Sequence, residues 1–198
     1  GHNRYAAYAN GEARMYGRTA VPEFSHIGGY EDHGLDMLFT WDPDGRLAGV
    51  ALAIPCPSQV DEGLTVFSAD YWHEIRVELR RRYGDHVQVL PLCSAAGDQS
   101  PHFLLYGRQE EDMRRRRGLT ERQEIAARVG GAVERALACT PPPAAQSECA
   151  FSHQVRHLSL PPFAITRQDR DWAFNTLVQC ALKGDLATWW PSRLRSIV

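Results

Sequence analysis

Two apolar runs joined by a turn stand out between Leu35 and Ile54. Leu35 to Trp41 is dominated by large apolar residues, Asp42-Pro43-Asp44-Gly45 supplies Pro and Gly where a turn needs them, and Leu47 to Ile54 follows. This pattern predicts a hairpin. Its second strand stops at Pro55-Cys56-Pro57-Ser58-Gln59, where two prolines withhold backbone donors and force a loop. Trp72, Ile75, Leu79 and Tyr83 then recur at helical spacing while Arg76, Glu78, Arg80, Arg81 and Arg82 face away. A helix over Tyr71 to Tyr83 is predicted, capped by Ser68 or Asp70 and closed by Gly84. Val87 to Leu92 is a third apolar run, breaking into small and polar residues from Cys93 onward.

Strand, helix and strand in that order make a β-α-β unit, so Leu47 to Ile54 and Val87 to Leu92 are predicted to lie parallel in one sheet, joined right-handedly. Their carboxyl ends then share an edge. Loops 55–60 and 93–102 open there, where parallel sheets hold ligands. Further along, the run Arg108 to Arg117 reads as a solvated helix face, acids before bases. Thr120 with Gln123 forms a capping box, and Ile125, Val129, Val133 and Leu137 step along one face as far as Cys139. Thr140 to Ala145, with three prolines, reads as a stiff connector, and Phe151 to Leu160 as a strand stopped by Pro161-Pro162. Thr166 caps a last long helix to Lys183, predicted to bury Trp172, Ala173, Leu177 and Ala181 before Gly184 closes it. Residues 1–34 lack a period and are predicted to be loops with at most a short strand. The fold class that follows is α/β: a layered domain over residues 1–198, with three layers and a mixed sheet holding a parallel β-α-β unit and an antiparallel hairpin.

Composition changes this picture little. Hydrophobic residues are 43% and charged residues 23%, ordinary globular values, and the net charge of -2 gives no electrostatic case for a nucleic-acid partner. No apolar run approaches the length of a membrane-spanning helix, and no signal-peptide pattern is present. Both ends read as cuts through a longer protein, so residues 1–198 are taken as an internal fragment. The five cysteines, Cys56, Cys93, Cys139, Cys149 and Cys180, show no CxxC spacing and indicate neither a zinc ribbon nor a disulfide framework.

Candidate chemistry gathers after the third apolar run. Ala95, Ala96 and Gly97 keep bulk away so that backbone N–H groups can approach a ligand, Pro101 fixes Ser100 in an extended conformation, and Asp98 and His102 flank that serine. Ser100 reads either as a nucleophile served by the amides around Gly97 or as a hydroxyl that structures its loop; no G-x-S-x-G elbow favours the former. Cys56 is the candidate on the neighbouring strand-end loop. His73 is placed to reach the same edge or to stay solvated. His26 and His33, beside Glu31 and Asp32, match no compact metal motif.

Gly97-Asp98-Gln99-Ser100-Pro101 after a strand resembles the G-D-x-S-P loop of the neutral/alkaline non-lysosomal ceramidase family. Asn3-Arg4 with Met15-Tyr16-Gly17, the turn at Trp41 to Gly45, and Ser68-Ala69-Asp70-Tyr71 extend the resemblance, which covers residues 1–102 well and continues loosely beyond. It implies a zinc-dependent amidohydrolase that cleaves the N-acyl bond of a lipid, with Ser100 beside a metal held by two histidines, a glutamate and a tyrosine, and it favours an extracytoplasmic location. Zinc-bound water would attack the amide carbonyl. Three of the four ligands are expected outside residues 1–198, so this chain alone is expected to be inactive and to bind zinc poorly. The fourth position departs from the family: Cys56-Pro57 stands where members carry His-Pro. A thiolate ligand keeps a zinc site in altered form but weakens the metal as a Lewis acid, which favours a divergent branch. The alternative from another class is a non-catalytic relative that keeps the fold as a binding or structural module.

Overall fold

The hairpin forms as the pattern demands: β5 (Asp36–Trp41) pairs antiparallel with β6 (Leu47–Ile54), and β6 pairs parallel with β7 (Gln88–Cys93). Between β6 and β7 runs α1 (Tyr71–Tyr83), its start held by Asp70, whose carboxylate accepts from Tyr71 N. This is a computed structural model, and it describes residues 1–140, 150, 152–162, 164–184 and 189–198. The mixed sheet and its parallel crossover establish the α/β class.

The chain divides into two units, Gly1–Glu148 and Cys149–Val198. In the first, Val50, Leu52 and Ile54 point from one face of β6 into a core completed by Tyr71, Ile75 and Leu79 of α1. Ala126, Val129 and Val133 join it from α3 (Glu121–Cys139), which opens on the Thr120/Gln123 capping box. At the crossing of the two helices, a Cβ on Gly130 would sit 3.0 Å from Glu78 Cγ, so a small residue there lets α1 and α3 approach closely. Alternate residues of β5 and β7 point the other way, and Leu38, Leu90 and Leu92 stay 65%, 57% and 46% exposed. The unit therefore has two layers where three were predicted, because α1 and α3 both pack on one face.

Residues 1–34 correct the sequence reading. They build β1 (His2–Asn3), β2 (Tyr5–Tyr8), β3 (Ala13–Met15) and β4 (Phe24–Ile27), the last three forming a sheet in the order β3-β2-β4. The strands are short and mostly half exposed, so no period marks them; the legible signal was Asn10-Gly11, where Gly11 turns the chain at φ 84. β1 pairs instead with β8 (Gln99–Ser100) inside the loop after β7. The arginine-rich helix is α2 (Gly107–Arg117), which buries no residue.

In the second unit α4 (Arg167–Leu182) starts on a Thr166/Asp169 capping box and packs on α5 (Trp189–Arg195). Ala173 is buried, but Trp172 and Ala181 are exposed, against the predicted face, because a helix of 7 residues covers only part of one of 16. Residues 152–160 run as exposed coil: alternation makes a strand only where a ladder partner exists, and none of the described residues provides one. The proline connector beyond Thr140, and Cys149 and Phe151, lie outside the described residues.

Candidate functional site

Both loops open at the carboxyl edge shared by β6 and β7. Ile54 pairs with Cys93, and the Ile54 carbonyl accepts from Cys56 N at 2.8 Å and from Ser94 N at 3.1 Å, so one oxygen ties the two strand ends together. Gly1 is wedged beside them: a Cβ there would lie 3.1 Å from both Cys56 Cβ and Gln99 Cβ. Cys56 is therefore one residue's width from the Gly97–Pro101 loop. Its side chain is 5% exposed, and burial pushes its thiol pKa up.

The loop is held by polar contacts to the N-terminal strands. Asp98 accepts from Asn3 Nδ2 at 2.8 Å and from Gln99 Nε2 at 3.0 Å, and Arg4 Nη2 donates to the Gly97 carbonyl at 2.7 Å. A Cβ at Gly97 would meet nothing within 4 Å, which leaves open space beside that peptide. Ser100 is fully buried, its Oγ accepting from Tyr16 OH and from His102 N, both at 3.1 Å. Tyr16 makes this contact from a left-handed backbone at φ 52, a strained conformation for a tyrosine. His102 Nε2 lies 3.3 Å from Glu62 Oε1.

A cavity of about 240 Å³ lies next to this edge, and both Cys56 and Pro101 line it. Pairing of β8 with β1 turns the Ser100 hydroxyl toward Tyr16 and leaves Pro101 to form the wall. Leu35, Ile54, Phe103, Ile125 and Val129 make the cavity apolar, and Glu110, Arg114, Glu121, Glu124 and Arg128 bring charge from α2 and α3. Glu124, 4% exposed, bonds Arg117 and Arg128, and Arg128 reaches on to Glu110 at 2.9 Å. Across the opening His2 stacks on Phe103 with ring centroids 4.0 Å apart; burial lowers its imidazole pKa, Glu31 at 3.7 Å opposing. His33 lines the cavity too, 3.8 Å from Glu31. His26 contacts Ser25 Oγ and His73 is exposed on α1, neither lining the cavity.

The sequence pointed to Cys56, Gly97, Asp98, Ser100 and His102, named Asn3 and Tyr16 within the resemblance without a role at the loop, and missed His2 and the charged wall. Their roles come from contacts across many positions, such as Tyr16 to Ser100, which no local spacing reveals. Among the described residues no three His, Cys, Asp or Glu side chains converge where a metal could sit, and the Cys56 thiol donates to the Pro57 carbonyl. Comparisons with protein-family models, curated proteins and solved structures give no match.

Proposed function

We propose that this chain carries part of the site of a ceramidase-like hydrolase that cleaves an N-acyl amide bond in a lipid substrate. One observation supports the reading: Cys56 and Pro101, the last residue of the G-D-Q-S-P loop, come from separate strand ends and line the same largely apolar cavity. The cavity is smaller than the several hundred Å³ usual for a whole drug-sized ligand, so it takes the first carbons of an acyl chain, with the rest of the lipid outside. In this reading Asp98 and Ser100 are the site residues, Gly97 offers its peptide to the substrate, and His102 fixes Ser100 through its amide. Zinc enters only with ligands from outside residues 1–198, Cys56 being the contribution from within, and no step is derived through it.

The full burial of Ser100 favours a second reading, a relative that binds an acyl compound without cleaving it. Amine release from long and short N-acyl amides by a protein carrying this chain separates the two. The hydrolase reading expects release, reduced at least about 100-fold in Ser100→Ala at unchanged fold. Binding of the amide without release, zinc supplied, supports the second reading and sinks the first.

A further inference from the structure

We infer that Cys56 and Cys93 are a redox pair, a modification site at the carboxyl edge of the sheet that closes into a disulfide. The inference stands independently of the hydrolase reading. Ile54 pairs with Cys93 across β6 and β7, and the Ile54 carbonyl accepts from Cys56 N at 2.8 Å and from Ser94 N at 3.1 Å, so the two cysteine-bearing strand ends lie side by side. Cys93 Sγ lies 3.7 Å from the Cys56 carbonyl oxygen, so its side chain already points at the other cysteine's backbone. The same carbonyl accepts from Tyr71 OH at 2.6 Å, which anchors the acceptor segment to the first turn of α1. Cys93 is exposed and Cys56 is buried. This asymmetry divides the roles: the accessible thiol meets the oxidant and the sheltered one resolves.

The oxidant is a small-molecule disulfide. The Cys93 thiolate attacks one of its sulfurs, forming a mixed disulfide and expelling a thiolate; the Cys56 thiol then gives up its proton and attacks Cys93 sulfur, expelling a second thiol. Two electrons and two protons leave the protein, and the small disulfide departs as two thiols. The product removes the Cys56 thiol from the cavity wall and pulls loop 55–57 toward β7, so the cavity changes with redox state.

The experiment equilibrates the chain with oxidised and reduced glutathione at set ratios, traps free thiols, and digests with trypsin without reduction. The expected product joins residues 47–76 to residues 83–108 and is lighter than the two peptides by two hydrogens. A Cys139→Ser, Cys149→Ser, Cys180→Ser triple variant keeps the pair alone; thiols counted after denaturation should fall from two to none on oxidation and return with dithiothreitol. Glutathione carried stably on Cys93 with Cys56 still alkylatable overturns the inference, as does cross-linking of Cys93 to any other cysteine. Two free thiols under oxidising glutathione overturn it equally.

Discussion

Asp70 holds a backbone at φ 53 and ψ -145, a region that residues with a Cβ avoid, while its two carboxylate oxygens accept from Tyr71 N and Asp61 N at 2.7 Å each. Those bonds offset the strain and fasten loop 57–70 to the helix that lies under the site. Removing the carboxylate orphans two amides, at a cost of about 1–3 kcal/mol. Asp70→Gly keeps the backbone comfortable where Asp70→Ala does not, so the glycine variant is expected to be more stable by about 1 kcal/mol. Urea denaturation of both reads the difference; an alanine variant as stable as the glycine one would show that no strain resides there.

At the scale of elements, α1 and α3 are joined by charge as well as by the core. Glu78 bonds Arg81 and Arg82, which hold its carboxyl well below the usual range, at about 2, and Arg82 continues to Glu134 of α3 at 2.6 Å. A carboxylate depressed by folding contributes stability above its ordinary value near 4.5, and loses it as pH falls toward about 2. Arg81 is largely exposed, so the contribution is on the order of 1 kcal/mol and shrinks with salt. Glu78→Gln is expected to flatten the stability profile between pH 4.5 and 2; an unchanged slope contradicts this. These helices were legible because each carries its own signal: the four-residue steps from Ile125 to Leu137, the Thr120 box, Gly84 after Tyr83. The strands of residues 1–34 were not, since short strands with half-exposed sides leave no period and draw their stability from partners far along the chain. The same limit applied at the site. Cys56 and Ser100 could be placed on one edge by the crossover rule, but that Ser100 turns to Tyr16 while Pro101 faces the cavity depends on β8 pairing with β1.

For the whole molecule, the account depends on one cavity rather than one residue. The proposed function gives an acyl group two apolar surfaces to choose between: the cavity walled by Leu35, Ile54, Ile125 and Val129, and the open sheet face with Leu38, Leu90 and Leu92. An enclosed pocket buries more of a short chain than a flat face does and adds contact on several sides. The direct measurement is residue-resolved NMR on the 198-residue chain during titration with a soluble N-hexanoyl amide. Saturable shifts at Ile54, Cys56, Phe103, Ile125 and Val129 are the expected result. Shifts confined to Leu38, Leu90 and Leu92, or none at all, would contradict the claim that the cavity beside Cys56 receives the acyl group.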